Sequence, residues 1–199
     1  YHLTTKHMGF FDRFKKTDSQ ENNAVSKGYY AVSVAELTKL NSDAVQVSFD
    51  IPSGLANHFQ FIPGQYINLE VLVNGKKERR SYSICSGPKE KLAVAVKRID
   101  KGIVSNFLND QTTIDFPIWI SKPEGNFKLD AQAKHIVCLA AGSGITPILS
   151  IAKHLDTSKN MHLFYGSQTK AKVLFENELS NLPTVHCTHF LSKETVSGY

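Results

Sequence analysis

The chain has 199 residues, a formal net charge of +5 and 41% hydrophobic residues. It is long for one minimal domain and short for two full ones, and its apolar share predicts a globular fold with real cores. The longest apolar runs, Ile136–Ala141 and Phe116–Ile120, exclude a membrane-spanning helix, and the modest positive balance points to anionic ligands. With no long Lys/Arg tract and no aromatic RNA-binding motif, nucleic acid is not the expected partner.

Tyr1–His7 precede Met8, and Met8-Gly9-Phe10-Phe11 reads as a natural start after a tag remnant. Phe10, Phe11 and Phe14 with Arg13, Lys15 and Lys16 form one amphipathic turn, a conceivable membrane foothold. The polar stretch Thr17–Lys27 favours a loose tail instead, so residues 1–28 are assigned to tag and tail. No secretory signal precedes them, and the glycine after Met8 lacks the Ser/Thr of a myristoylation signal.

Order is expected from Gly28. Alternation predicts strands at Tyr29–Leu37 and Ala44–Asp50, with a turn at Asn41-Ser42-Asp43. A strand at Tyr66–Val73 leads through Asn74-Gly75, a tight-hairpin signal, into a strand carrying Arg80–Cys85. Leu92–Ile99 and Thr113–Ser121 complete six strands, with one helix at Ile103–Asn109. Short strands punctuated by turns predict a six-stranded antiparallel β-barrel over residues 29–130.

From Lys134 the pattern changes. His135–Ala141 is a continuous apolar run of the kind a buried parallel strand needs. Helices at Thr146–Leu155 and Ala171–Leu182 alternate with strands at Met161–Tyr165 and Thr184–Leu191. This β-α-β-α-β order is half of a Rossmann-like nucleotide-binding sheet, residues 131–199. A three-stranded parallel sheet leaves long edges and little core, so the natural protein is expected to continue past Tyr199. Cys85, Cys138 and Cys187 have no metal-ligand spacing, and buried free thiols in a reducing, cytoplasmic setting are the expectation.

Four stretches carry chemistry. In Arg80-Ser81-Tyr82-Ser83, alternation puts Arg80 and Tyr82 on one face, a guanidinium for phosphate beside a ring for stacking, and Ser83 adds a small hydroxyl. Val96-Lys97-Arg98 ends a strand in two cations, and Gly102-Ile103-Val104-Ser105 opens a helix whose first amides suit a second anion. Pro123-Glu124-Gly125-Asn126-Phe127 reads as the turn between the two units. Gly142-Ser143-Gly144-Ile145-Thr146-Pro147 is a glycine turn from a buried strand into a helix, where amides and helix dipole meet a phosphate and the early proline costs no hydrogen bond.

In this order the stretches resemble the ferredoxin–NADP reductase family, from about Tyr29 to the end of the chain. More finely, Arg79–Cys85, Ala140–Pro147 and Tyr165-Gly166-Ser167 through Leu174-Phe175 look like the reductase components of the phenylacetyl-CoA epoxidase group, which act in phenylacetate degradation. The resemblance implies a flavin-binding barrel followed by a nicotinamide-nucleotide domain. It places Arg80 on a flavin phosphate, Tyr82 against the flavin and Ser83 near its reactive nitrogen. It also places Gly102, Val104 and Ser105, with the backbone of Val96, Lys97 and Arg98, at the rest of FAD. Gly142, Gly144, Ile145, Thr146 and Pro147 fall on the nicotinamide side, and Ser83 and Thr146 at the point of transfer. That group also carries a C-terminal [2Fe–2S] domain, which has no counterpart up to Tyr199.

The implied activity is an FAD-dependent NAD(P)H oxidoreductase that feeds an iron–sulfur acceptor, either a ferredoxin-type domain or an oxygenase partner. Relatives often have Arg where this chain has Gln168, so Ser167 and Gln168 are expected to bind ribose hydroxyls, and NADH is expected to serve at least as well as NADPH. Lys170 and Lys172 lie just beyond and are within reach of a 2′-phosphate. No histidine is assigned a role, since hydride transfer needs no proton-transfer base. The rival reading is a flavin-binding regulatory or electron-coupling protein that does not turn over nicotinamide.

Overall fold

A computed structural model describes residues 25–194. The tag remnant and the amphipathic turn at Phe10–Lys16 lie outside the described residues. The first unit is built from β1 (Tyr29–Asn41), β2 (Ala44–Asp50), β3 (Tyr66–Val73), β4 (Lys76–Ser83), β5 (Ala93–Lys97) and β6 (Pro117–Ser121). All pair antiparallel in the order β4-β3-β6-β1-β2-β5. A bridge between Ile84 and Val94, reinforced by Cys85 N donating to Ala93 O at 2.9 Å, ties β4 to β5 and closes the sheet into a barrel.

Local chemistry explains the pairing. Asn74 and Gly75 have φ of 50° and 74°, the two left-handed residues a tight β3–β4 turn requires. Val32, Val34, Val47, Ile67, Leu69 and Ile120 alternate inward and are fully buried. Helix α1 (Ile103–Asp110) plugs one end with Val104, Phe107 and Leu108. Each such aliphatic or aromatic side chain contributes about 1.5–3 kcal/mol by leaving water. The wall also buries Glu70, which accepts from Arg79 Nε at 2.7 Å and from Ser26 Oγ at 2.8 Å and pairs with Lys77 at 3.2 Å.

The second unit is a parallel sheet, β7 (His135–Ala141), β8 (Asn160–Ser167) and β9 (Val185–Leu191), in that order. Helix α2 (Ile145–Lys153) buries Ile145, Ile148, Leu149 and Ala152, the spacing of one helical face. The helix expected over Ala171–Leu182 is shorter. Lys170–Lys172 forms a single 3₁₀ turn, and α3 spans only Glu176–Ser180. Phe175 has φ of 60°, and the Leu174 amide donates to the Tyr165 hydroxyl at 3.2 Å rather than to a helical carbonyl. The sheet is also covered on one face only among the described residues. Val137 and Leu139 on β7 are 70% and 79% exposed, so the apolar run does not mark a strand buried on both sides here.

The two units meet along small residues. Ala44, Cys85, Ala93 and Ala95 of the barrel share an apolar cluster with Ile145, Leu149, Met161 and Leu163. Ser150 Oγ on α2 donates to Ser86 O at 2.9 Å, and Lys153 pairs with Glu90 at 3.0 Å and Glu178 at 2.5 Å. No helix among the described residues is long and apolar enough to cross a membrane. Cys85, Cys138 and Cys187 are free thiols.

Candidate functional site

Pleating puts Tyr82 opposite Ile67 and Arg80 opposite Leu69, so both face the barrel side of β4. Tyr82 is half-buried against the core, and burial, opposed by the nearby Arg80 charge, pushes its hydroxyl up to about 12. It is therefore a neutral donor at physiological pH. Ser83 follows at the strand end. Across from them the glycine turn Gly142–Gly144 opens α2, and Thr146 Oγ1 donates back to Ser143 O at 2.9 Å. Tyr82, Ser83, Gly144, Thr146 and Pro147 line one cavity of about 600 Å³ at the domain boundary, with Lys97 and Arg98 at its rim.

The two cations there differ. Arg98 is committed to Asp110, donating at 2.5 and 2.7 Å, and so anchors α1 to β5. Lys97 has no ion pair among the described residues. Its Nζ lies 3.5 Å from where a Cβ on Gly142 would sit, and Gly142 has φ of 52°. Lys97 is also common to a second cavity, about 590 Å³, at the carboxyl ends of β7, β8 and β9. Gly142, Ser167, Gln168, Lys172 and His189 line this second cavity. Ser167 Oγ and His189 Nδ1 are buried in its wall; the Ser167 hydroxyl interacts with that of Tyr165, and His189 Nδ1 has no hydrogen-bond partner among the described residues. Buried polar atoms on a cleft at the carboxyl ends of parallel strands, one of them unpartnered, fit a nucleotide with ribose and base donors and acceptors.

The remaining expected residues sit nearby but not on these walls. Arg80 is exposed, its guanidinium donating to Arg79 O at 2.6 Å and lying 3.7 Å from Glu78. Val96, Val104 and Ile145 are buried in the cores, so only their backbone is available to a ligand. Ser105 is buried too, its hydroxyl accepting from Ile99 N at 3.2 Å. Gly102 precedes α1, and a Cβ there would overlap Ser105 Oγ and lie 3.1 Å from Ile99 Cβ. Glycine is thus required by close packing, and the free amides of the first turn remain open to an anion. Gly125, between the units, has φ of 111° and lies against the Tyr66 ring. Sequence reasoning missed His189, Phe190 and Leu191. The rule that ligands bind at the carboxyl ends of parallel strands would have flagged the end of β9.

A closed antiparallel barrel joined to a parallel α/β unit, with both candidate motifs opening on their boundary, defines a two-module redox protein of the flavin–nicotinamide class. Residues 31–129 match the family described as oxidoreductase FAD-binding domain, and residues 138–198 match the oxidoreductase NAD-binding domain. The chain is 33% identical over 162 residues to a component of the 1,2-phenylacetyl-CoA epoxidase of Escherichia coli, covering 77% of this chain and 45% of that protein. It is also 33% identical over 178 residues to the ferredoxin reductase component of 3-ketosteroid-9-alpha-monooxygenase of Mycolicibacterium smegmatis, covering 83% and 50%. The structure of phthalate dioxygenase reductase, a protein described as transferring electrons from pyridine nucleotides to [2Fe–2S], superposes with a TM-score of 0.68 at 26% identity, over 86% of this chain and 55% of that one. The chain belongs to the ferredoxin reductase family, with FAD and a nicotinamide nucleotide as its cofactors. It spans about half the length of the curated relatives it matches, 45% and 50% of the two proteins above.

Proposed function

We propose that the protein is an FAD-dependent NAD(P)H oxidoreductase that passes electrons to an iron–sulfur acceptor, such as a ferredoxin-type domain or an oxygenase component, in the cytoplasm. Residues 29–130 are the FAD module and 131–199 the nicotinamide module. FAD held by these residues would supply hydride acceptance and one-electron release. The chain's share is placement. Tyr82 offers a flat face and a neutral hydroxyl donor, and Ser83 a hydroxyl beside it. Arg80, with the first-turn amides of α1 that follow Gly102, up to Ser105, provides charge and donors for two phosphates, which favours FAD over FMN. Gly142 and Gly144 keep side chains out of the nicotinamide path and Pro147 lines it in the first turn of α2, while Ser167 and Gln168 serve the adenosine ribose.

One observation carries this reading: Tyr82 and Ser83 of the barrel share a cavity with Gly144, Thr146 and Pro147 of the second unit. Ser83 and Thr146 are accordingly the residues assigned to the transfer point. The test is anaerobic addition of NADH to the flavin-loaded protein. Bleaching of the long-wavelength flavin band within seconds is expected, and acid release of the flavin should yield FAD. An unchanged spectrum with both NADH and NADPH would refute the assignment.

A further inference from the structure

The β1–β2 turn lies beside Lys97, the barrel residue that lines the nucleotide cavity. Its backbone is held on both sides, Asp43 O accepting from Arg98 N at 2.6 Å and Asp43 N donating to Asn41 Oδ1 at 2.9 Å. From this fixed turn the Asp43 carboxylate reaches across the domain boundary and pairs with Lys172, whose ammonium also donates to Ser42 Oγ at 3.3 Å. Lys172 stands on the wall of the cavity that holds Ser167 and Gln168. Lys170, the other cation of this loop, pairs with Glu176. Both lysines that follow the second strand of the sheet are therefore neutralised, and the one on the cavity wall is neutralised by the other domain.

That arrangement bears on which nucleotide the cavity takes. NADP carries a 2′-phosphate that asks for a cation near the end of the second strand, whereas NAD presents a hydroxyl there and is often read by an acid. Here the strand ends Ser167-Gln168, with neither cation nor acid. The acid that meets Lys172 comes from the barrel. Asp43 is charged at working pH, because the hydrogen bonds from Lys172 and then Ser42 hold its carboxyl below the ordinary range. The two side chains are 31% and 32% exposed, so the pair is open enough to be exchanged for a phosphate if the carboxylate is removed.

We propose that Asp43 is a specificity-determining residue: by holding Lys172 in an ion pair across the domain boundary, it keeps that ammonium from a 2′-phosphate, so that Lys97 is the one unpaired lysine left on the cavity among the described residues, and it shifts the preference toward NADH. The inference rests on the reading of this cavity as the nicotinamide-nucleotide site. It also locates discrimination in a residue of the FAD module.

The test compares binding of adenosine 2′,5′-bisphosphate and 5′-AMP, which differ only in the 2′-phosphate, by calorimetry on the full chain. Asp43→Asn keeps the backbone bonds of the turn and frees Lys172. It should tighten the bisphosphate relative to AMP by about tenfold, the worth of one charge-assisted contact. The ratio of kcat/KM for NADPH over NADH should rise in parallel. In Lys172→Gln and in the Asp43→Asn, Lys172→Gln double variant the gain should be absent. An unchanged ratio in Asp43→Asn overturns the proposal, as does a gain that persists in the double variant, which would mean simple relief of repulsion. If the unaltered protein binds neither ligand, the reading of the cavity falls and the proposal with it; if it binds both and Asp43→Asn discriminates no differently, only the proposal falls.

Discussion

Gly102→Ala tests whether the start of α1 is part of the flavin site. The backbone tolerates alanine, since Gly102 has φ of −71°. The obstacle is packing. The new methyl overlaps Ser105 Oγ and meets both Cβ and O of Ile99 at 3.1 Å. Ser105 must move, which breaks the 3.2 Å bond from Ile99 N and shifts the first turn of the helix. Overpacking and the loss of a buried hydrogen bond each cost about 1–3 kcal/mol. If half of that falls on the bound state alone, FAD affinity drops by roughly tenfold. Ser105→Ala by itself loses only the hydrogen bond, about 1–3 kcal/mol, without the overpacking. Combining the two removes the overlapping oxygen, so the double variant should bind FAD better than Gly102→Ala alone. Flavin fluorescence titration, with thermal unfolding of the flavin-free protein alongside, separates affinity from fold. A Gly102→Ala protein that binds FAD as tightly as the parent, or a double variant no better than the single, would refute the packing argument.

Arg80→Ala should leave the unfolding midpoint of the flavin-free protein nearly unchanged, because among the described residues the guanidinium's hydrogen bond and ion pair are to Arg79 O and Glu78 at the surface. It should still weaken FAD by one to two decades, about 1.5–3 kcal/mol, with Arg80→Lys losing less. Equal affinity in the alanine variant would leave Arg80 a solvated edge residue. Glu70→Gln should lower stability at pH 7 by about 1–3 kcal/mol, discounted because Arg79 is half-exposed. Burial alone would raise the Glu70 carboxyl, but hydrogen bonds from Arg79, Ser26 and Lys77 outweigh it and hold the group below its ordinary range. A depressed carboxylate contributes above its unfolded value, near 4.3, and that contribution is lost as pH falls through the folded value. Urea unfolding should therefore show the gap between parent and variant narrowing as the solution is acidified below about pH 5, and a gap independent of pH would be evidence against a charged Glu70.

What could be read from the sequence was whatever depends on near neighbours. Period-two alternation was enough to place Arg80 and Tyr82 on one side of β4, and Asn74-Gly75 specified its own turn. The glycine turn at Gly142–Gly144 was visible because strand, glycines and helix are contiguous. Tertiary contacts decided the rest. Leu174, Phe175, Leu179 and Leu182 have helical spacing, yet the Tyr165 hydroxyl captures the Leu174 amide and the helix starts only at Glu176. The apolar content of β7 says that the strand pairs in a sheet, but not how many faces of that sheet are covered. That Lys97 lies on two cavities, and that Asp43 meets Lys172, depends on residues more than 40 positions apart and on how the units dock.

Docking is itself governed by side-chain size. Ala44, Ala93 and Ala95 present methyl groups where the barrel meets α2 and β8, and the Cys85 thiol fills the same layer. Burial pushes that thiol up to about 12, so it serves as an apolar filler and not as a nucleophile. Small residues let the two backbones approach, and the approach is what sets Ser83 opposite Thr146 across a shared cavity. The ion pairs of Lys153 with Glu90 and Glu178, and of Lys172 with Asp43, lie at the margins of this apolar layer. The Lys172–Asp43 pair is open to solvent and adds little stability, whereas the Lys153 side chain is only 10% exposed; both sets of pairs penalise wrong relative orientations of the two units. Apolar contact thus supplies the attraction between the modules, and the charged margins supply their registration.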